Sequence, residues 1–257
     1  NFIIQTLIFP VVIGLLIIGM RGGIQLRPIM SLTAAQYVDD MRLMPLQTNT
    51  TLSLLFSVQQ NFIEEKKYIP KEKEAKLFSI SKNPKPQSEF KKENVVIIVL
   101  ESFGKEHIGF FNDYEESPTP FIDSLMLESW YFENAYADGV RSTQGIAAIS
   151  ASIPALMDNA LMFSPYQGNR LDGIAAYLGK KGYSSGFFHG SNPGSMEFER
   201  FSKLTGYQNF YDRTAYPNQE DYDGNWGIWD APFFQFTANE VDKYPEPFTA
   251  LLFSLTS

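Results

Sequence analysis

A run of six aliphatic residues, Val95 to Leu100, ends directly at an acid, Glu101. An unbroken run of β-branched and aliphatic residues is typical of a strand that is buried on both faces of a parallel sheet. The run therefore predicts a central strand over 94–100 that carries Glu101 to its carboxyl end. In an open α/β sheet, ligands bind at this edge. A carboxylate there is a suitable ligand for a hard divalent cation, although an acid after a strand is also commonly a helix cap or a surface group.

A second motif is the segment Gly139-Val-Arg-Ser-Thr-Gln-Gly145. It places Ser142 and Thr143 beside Arg141 at the start of a helix predicted over 143–152. Hydroxyls at such positions are usually N-caps, which accept bonds from unpaired backbone N–H groups. The alternative is that one of them is a nucleophile, activated by a metal ion and by the positive end of the helix. Arg141 would then bind a phosphate oxygen, or it pairs with an acid.

Two further segments carry candidate binding residues. His189 ends a predicted strand at the same edge of the sheet, where it would contact substrate, although a lone histidine is more often structural. The segment Asn225-Trp-Gly-Ile-Trp-Asp230 places Trp226 and Asp230 just before a predicted helix. It forms either one wall of a substrate groove or ordinary aromatic packing, and the sequence favours neither.

Strand and helix patterns alternate after residue 93. The predicted strands cover 94–100, 130–136, 183–188 and 248–255, and the predicted helices cover 118–129, 143–152, 170–180, 196–204 and 228–243. This alternation predicts an α/β fold, with a mostly parallel sheet and helices on both faces.

The N-terminal part has a different composition. Residues 2–20 contain no charged residue, which predicts a transmembrane helix of about 20 residues. The alternative, a secretory signal peptide, lacks its basic region and cleavage site. We therefore predict a transmembrane helix at 1–21 that ends a membrane domain, juxtamembrane helices and a charged linker at 22–93, and a catalytic domain from 94 to 257. The abrupt start, without Met, indicates a piece of a longer protein.

Composition excludes several functions. The formal net charge is −8, and no basic patch with interleaved aromatic residues is present, so no nucleic-acid partner is expected. The chain has no cysteine, which rules out disulfides, thiolate metal sites and cysteine nucleophiles.

Taken together, four motifs resemble those of one known family: NVVIIVLESF, GVRSTQGIAAISASIP, FFHGSN and GNWGIWD. The set resembles the sulfatase-like branch of the alkaline phosphatase superfamily, in particular membrane-anchored lipoteichoic acid synthases and phosphoglycerol transferases. The resemblance implies an alkaline-phosphatase-like fold and a divalent metal ion (Mn, Mg or Zn) held by Glu101 and Ser142. It also implies a nucleophile at Ser142, with Thr143 adjacent to the matching position, and a substrate histidine at His189.

The sequence departs from the family pattern in three places. Ser195-Met-Glu-Phe198 lacks the Trp and Arg with which lipoteichoic acid synthases hold glycerol phosphate. The nucleophile segment lacks the Pro and the trailing Arg of the formylglycine motif of true sulfatases, which leaves a plain hydroxyl as the nucleophile. No Asp-His dipeptide occurs, although the family supplies its remaining metal ligands from one. We expect this chain to hold half a metal site and to be inactive alone.

The predicted function is a membrane-anchored, metal-dependent transferase or hydrolase that acts on a lipid or glycan phosphodiester through a covalent phospho-enzyme. The alternatives are a sulfatase or phosphodiesterase without transferase activity, and an inactive cell-envelope binding domain. The resemblance implies a cell-membrane location with the catalytic domain outside the cytoplasm. Arg21 and Arg27, which follow the predicted span, by themselves favour the cytoplasmic side.

Overall fold

The computed structural model describes residues 2–21, 63–77, 88–169 and 171–255. The chain divides into two compact units, one of residues 1–60 with 197–200 and the other of residues 61–196 with 201–257. In the first unit, the described residues are helix α1 (Phe2–Arg21) and residues 197–200. The sheet and the candidate site belong to the second unit.

Helix α1 is 20 residues long and contains Pro10. Its large apolar side chains between Ile4 and Ile18 are exposed. No helix in the described residues combines the length and the apolar character needed to cross a membrane, so the predicted span is not confirmed. The amphipathic helices expected before residue 63 lie outside the described residues. Within the predicted linker, a short helix α2 (Lys71–Leu77) forms.

Four parallel strands form the sheet in the described part of the second unit. They are β1 (Val95–Val99), β2 (Ser184–Phe188), β3 (Asn209–Tyr211) and β4 (Phe248–Phe253), in the spatial order β1-β4-β2-β3. Val95 pairs with Thr249, and Ser184 pairs with Phe248. Because all four strands run in one direction, their carboxyl ends meet at one edge. This edge carries the candidate site.

The connections between the strands are helical. They contain α3 (Pro120–Leu127), α4 (Ser142–Ala151), α5 (Ile174–Gly179), α6 (Phe198–Leu204) and α7 (Asp230–Val241), together with short 3₁₀ helices at Lys105–His107, Gly109–Phe111, Leu161–Phe163, Ser195–Glu197 and Gln219–Asp221. Parallel strands need such crossover connections because a tight hairpin can join only antiparallel neighbours.

The hydrophobic core explains why β2 and β4 are so apolar. Phe188 and Leu252 face one side of the sheet, where they pack with Ile228, Phe233 and other buried residues from α7 and the loop before it. On the other side Phe187 is fully buried, and its ring packs edge-on against that of Tyr207 at 5.5 Å. Both faces of the two central strands are therefore covered, as the unbroken apolar pattern predicts.

Most predicted elements are present within a few residues of their expected bounds, and the parallel α/β fold is confirmed. The strand predicted at 130–136 is wrong. Its aromatic residues have high β-propensity, but Trp130 is 101% exposed and Phe132 is 83% exposed, and the segment is irregular. Conversely, β3 was missed, because three residues are too few to show a period.

The predicted central position of the first strand is also wrong for the described sheet. β1 lies at one end of the strand order and pairs with β4 alone among the described strands. Val96 and Ile98 are consequently more than half exposed. An apolar run indicates that a strand can be buried. Whether the strand is buried depends on its tertiary contacts.

Candidate active site at the carboxyl edge of the sheet

The structure brings Glu101 and Ser142 into direct contact. Glu101 follows β1, and Ser142 is the first residue of α4, 41 positions later. The Ser142 hydroxyl donates a hydrogen bond to Oε2 of Glu101 at 2.6 Å. A short O–H···O⁻ bond of this kind is charge-assisted and therefore strong. The acid and the hydroxyl singled out in the sequence thus form one pair.

The backbone around Glu101 holds its carboxylate in place. The Glu101 N–H donates to Oγ of Ser254 at 2.7 Å, just after β4 ends. Ser102, the next residue, has a φ of 51°, and its hydroxyl donates to Oε1 of Glu101 at 3.3 Å. A non-glycine residue with this φ is strained, and such strain persists where surrounding contacts over-determine the backbone. Neighbouring strand ends therefore fix the acid.

The start of α4 is capped in a way that the sequence interpretation did not foresee. Arg141 is the N-cap residue, so neither Ser142 nor Thr143 occupies that position. Oε1 of Gln144 instead accepts the backbone N–H groups of Val140 and Arg141, at 3.0 and 3.1 Å. The Ser142 side chain is consequently available to Glu101. Thr143 is buried, and Arg141 is exposed.

His189 follows β2 and is fully buried. Its ring stacks on Phe253 with centroids 4.7 Å apart, and Nδ1 lies 3.1 Å from the carbonyl oxygen of Phe253. Because a carbonyl only accepts, Nδ1 carries the proton, and in the neutral ring Nε2 is then an acceptor. Burial lowers the pKa of His189 to about 4, although the Phe253 carbonyl and the Asp230, Glu101 and Asp212 charges oppose the shift. His189 is therefore neutral near pH 7.

The loop that connects the 3₁₀ helix Gln219–Asp221 to α7 forms another wall. Oδ1 of Asp223 accepts the backbone N–H groups of Asn225, Trp226 and Gly227 at 2.8, 2.8 and 3.0 Å. The loop is joined to the end of β2 by a bridge between Ser191 and Gly227. We call residues 222–229 the tryptophan loop, because it presents Trp226 and Trp229.

These elements enclose a pocket of about 410 Å³, a size typical of small-molecule sites. Its lining residues come from the ends of β1, β2 and β4, from the tryptophan loop and from Met196: Glu101, Ser102, His189, Met196, Asp223, Trp226, Trp229, Phe253, Ser254 and Leu255. Trp226 and Trp229 are 57% and 52% exposed, so their rings are accessible to a ligand.

Asp230 and Arg141 are not among the residues that line this pocket. Oδ1 of Asp230 accepts the backbone N–H of Leu255 at 2.7 Å, which attaches the start of α7 to the end of β4. This contact gives Asp230 a role in holding the sheet edge. The structure thus places Glu101, His189 and Trp226 around one pocket, with Ser142 bonded to Glu101.

Sequence reasoning missed several residues of the site. Ser254 follows an apolar strand, just as Glu101 does, and this shared pattern is a signal that could have identified it. Asp223 precedes Gly224 and Asn225, a composition typical of a turn built on an Asp side chain. Met196 has a φ of 53°, which no sequence pattern indicates.

The donor set at Glu101 fits part of a divalent metal site. A carboxylate and a hydroxyl are oxygen ligands of the kind that hard cations prefer. Within residues 2–21, 63–77, 88–169 and 171–255, no group of three or more His, Cys, Asp or Glu side chains could hold a metal ion. The described residues therefore supply two oxygen donors of such a site.

Comparison with known proteins identifies the family. Residues 93–257 match the family model described as sulfatase. The chain belongs to the sulfatase family. It is 28% identical over 174 residues to lipoteichoic acid synthase 2 of Bacillus subtilis, covering 64% of this chain and 26% of that protein. It is 31% identical over 196 residues to the lipoteichoic acid synthase of Staphylococcus saprophyticus, covering 70% of this chain and 29% of that protein. The chain thus spans less than a third of the length of these relatives.

Solved structures agree with this assignment. A protein of the alkaline phosphatase superfamily from Vibrio parahaemolyticus superposes with a TM-score of 0.58 at 26% identity, covering 65% of this chain and 41% of the other. A lipoteichoic acid synthase from Listeria monocytogenes superposes with a TM-score of 0.54 at 20% identity, covering 64% and 41%, and so supports the fold. This sulfatase family member therefore has an alkaline-phosphatase-like α/β fold.

Proposed function

We propose that the protein to which this chain belongs is a metal-dependent transferase or hydrolase of phosphodiesters, with Ser142 as its nucleophile. The observation that carries the proposal is the 2.6 Å bond between the Ser142 hydroxyl and Glu101. Ser142 opens a ten-residue helix, whose N-terminus favours negative charge on its oxygen, and Glu101 provides a carboxylate that can bind the same cation as this oxygen.

Ser142 is a better candidate than Thr143. Ser142 is partly exposed and bonded to Glu101, whereas the Thr143 side chain is buried. A nucleophile must reach substrate, and accessibility therefore favours Ser142. This choice also agrees with the position of the nucleophile in the family to which the motifs belong.

The reaction divides into two displacements. The Ser142 oxygen forms a bond to phosphorus and releases its proton to solvent, while the bond from phosphorus to the leaving alcohol breaks and that alcohol takes up a proton from solvent. An acceptor hydroxyl, from an alcohol or from water, then attacks the phosphoserine and restores the Ser142 hydroxyl. The neutral ring of His189 lines the pocket and would help to shape the wall against which the substrate lies.

Glu101 and the Ser142 oxygen would hold the divalent ion. When bound, a hard cation lowers the pKa of an attached hydroxyl and stabilises negative charge on the transferred group. The remaining task of the described residues is positioning. Ser254 and Ser102 orient the Glu101 backbone and carboxylate, and Gln144 leaves Ser142 at the open end of α4.

We further propose that the enzyme acts on a lipid or glycan phosphodiester at the outer side of the cell membrane. Support comes from the names of the lipoteichoic acid synthases to which the chain is similar and from the uncharged segment 2–20. Labelling of an introduced cysteine near residue 113 in intact cells, with a reagent that does not cross membranes, tests this location. Labelling only after lysis would contradict it.

The nucleophile is tested with the full-length protein and three variants. Ser142→Ala should abolish turnover and the phosphorylated peptide detected by mass spectrometry after quenching. Thr143→Val, which removes the neighbouring hydroxyl at nearly constant shape, should retain both within a few-fold. Loss of the adduct only in Thr143→Val would move the nucleophile by one residue.

Ser142→Thr keeps an alcohol at position 142. Comparing it with Ser142→Ala therefore shows whether the loss of turnover comes from the missing hydroxyl or from a folding defect. We expect it to recover part of the turnover lost in Ser142→Ala. Full turnover by Ser142→Ala, with no phosphorylated peptide in any variant, would remove the proposed mechanism altogether.

A further inference from the structure

Gln144 is two positions from the proposed nucleophile in the sequence, but it does not line the pocket. Its side chain is only 9% exposed, although glutamine is usually a surface residue. A buried amide must bond both its oxygen and its nitrogen within the protein, because an unsatisfied buried polar group costs free energy. The partners of the Gln144 amide therefore show which parts of the chain it joins.

The oxygen of this amide binds the chain that leads into Ser142. We call residues 138–141 the entry segment. Oε1 of Gln144 accepts the backbone N–H groups of Val140 and Arg141, at 3.0 and 3.1 Å. The Val140 side chain is fully exposed and Arg141 is exposed as well, so side-chain packing does little to hold these two residues. The two bonds to Gln144 hold the backbone just before the nucleophile.

The nitrogen of the same amide binds the chain that follows α4. The helix is followed by Ser152, whose φ of 54° turns the chain, and we call residues 153–158 the return segment. Nε2 of Gln144 donates to the backbone carbonyls of Met157 and Asp158, at 3.2 and 3.5 Å. The return segment thus comes back to the start of α4, and one amide joins it to the entry segment.

Two further contacts hold the same two segments together. Oδ1 of Asp138 accepts the backbone N–H of Ala155 at 3.3 Å. Gly139 has a φ of 115°, and a Cβ there would lie 2.4 Å from Cβ of Gln144 and 3.4 Å from Cβ of Ala155. A side chain at position 139 would therefore displace Gln144. Glycine supplies both the backbone conformation and the space that let the amide reach the two segments.

We propose that Gln144 is a positioning residue for the nucleophile: by joining the entry segment to the return segment, it directs the Ser142 hydroxyl towards Glu101. Gln144 acts through Ser142, since it is buried and lies outside the pocket lining. This inference rests on the proposed role of Ser142. Positioning has a large effect on rate, because a displacement of about 1 Å can slow a reaction by about 10²-fold.

The kinetic test uses the full-length protein and bis(4-nitrophenyl) phosphate, a chromogenic phosphodiester. Gln144→Met removes both polar groups at similar size. It should lower kcat by about tenfold to 10²-fold and leave KM within about twofold, because the nucleophile is displaced while the pocket is intact. Gln144→Glu keeps an acceptor for the entry segment but has no amide donor for the return segment. Its kcat should lie between those of the wild type and Gln144→Met.

Thr205→Val is the matched control, because it also removes a buried polar group at nearly constant size. Thr205 is fully buried outside the pocket lining, and its hydroxyl donates to the Phe201 and Ser202 carbonyls at 3.0 and 3.1 Å. This variant should have a lower melting temperature but an unchanged kcat per folded molecule. An unchanged kcat in Gln144→Met overturns the inference. If Gln144→Met does not fold, an unchanged kcat in Gln144→Glu overturns it instead.

Hydrogen exchange separates this inference from the proposed reaction. In full-length Gln144→Met, the backbone amides of Val140 and Arg141 should exchange about tenfold faster than in the wild type, because they lose their acceptor. In Ser142→Ala they should exchange at the wild-type rate. If Ser142→Ala keeps full turnover, the proposed function fails, but faster exchange in Gln144→Met still supports the joining of the two segments. Equal exchange in the wild type and Gln144→Met refutes the role of Gln144 at any level of turnover.

Discussion

Neither Glu101 nor Ser142 indicates an active site when it is considered alone. An acid after a strand and a serine at a helix start are both common and usually structural. Here Oε2 of Glu101 accepts the Ser142 hydroxyl, and the strained Ser102 and the Ser254 hydroxyl hold the acid from two sides. These contacts are what make Glu101 and Ser142 candidate active-site residues.

Glu101→Gln tests the acid at the residue scale. The amide keeps the shape and a hydrogen-bond acceptor but loses the charge that attracts a cation. In the full-length protein we expect kcat/KM to fall by about 10²-fold or more. Glu106→Gln, at an exposed side chain on the following turn, should leave kcat/KM unchanged and serves as the control. Comparable activity in the two variants would contradict the role given to Glu101.

His189 makes a prediction about pH. Its pKa is lowered to about 4 in the folded chain from 6.5, mainly by burial, so between these values the unfolded chain binds more protons than the folded chain. Folding stability therefore falls as the pH falls from about 7 to about 5, by about 2 kcal/mol from this residue.

Urea unfolding of the wild-type chain and of His189→Gln at both pH values measures this contribution. The variant is less stable overall, since it loses the packing against Phe253, but its stability should depend less on pH by about that amount. An identical pH dependence in the two proteins would mean that folding does not lower the pKa of His189.

At the element scale, the tryptophan loop is positioned by close backbone approach. A Cβ on Gly227 would lie 2.2 Å from the carbonyl oxygen of Gly190, whereas a Cβ on Gly145 in α4 would meet nothing within 4 Å. Backbone atoms cannot move aside as a side-chain tip can. Gly227 is therefore required by the packing of the loop on the end of β2.

Two alanine substitutions test this contrast. Gly227→Ala should destabilise the chain by about 1–3 kcal/mol and shift the emission of the loop tryptophans, because the loop must move. Gly145→Ala should be neutral or stabilising by up to about 1 kcal/mol, because alanine favours a helix interior. Thermal unfolding of both variants measures these effects. A Gly227→Ala protein as stable as Gly145→Ala would contradict the close approach of Gly227 to the Gly190 carbonyl oxygen.

At the scale of the whole molecule, the described residues offer two oxygen donors to a metal ion. Structural and catalytic sites need more ligands than this for tight binding. We expect the 257-residue chain to bind Mn²⁺ or Mg²⁺ with a dissociation constant weaker than about 10⁻⁴ M in isothermal titration calorimetry. Tight stoichiometric binding would show that the chain holds further ligands.

The full-length protein should behave differently. Removal of divalent ions with a chelator should abolish turnover, and added Mn²⁺ or Mg²⁺ should restore it. Turnover that survives complete chelation would contradict the proposed metal dependence.

The sequence alone predicted the parts of this protein that depend on local periodicity. The strands at 94–100, 183–188 and 248–255 and the helix that begins at Ser142 follow from apolar runs and from breaks by small or polar residues. The parallel α/β class follows from their alternation, because parallel strands require crossover helices. The strand β3 was missed because three residues are too few to show a pattern. The segment 130–136 was misassigned because its apolar residues are exposed and form no strand contacts.

Only the tertiary structure decided which residues meet. The Glu101–Ser142 bond joins residues 41 positions apart in the sequence, and the Glu101–Ser254 bond joins residues 153 positions apart. The periodicity of helices and strands cannot predict contacts between residues so far apart. The end position of β1, the cap by Gln144 and the three bonds to Asp223 likewise depend on how strand ends and loops pack together. The local sequence pattern determines whether a segment is a helix or a strand. The strand order of the sheet determines which elements lie next to it, because neighbouring strands of a parallel sheet come from distant parts of the chain.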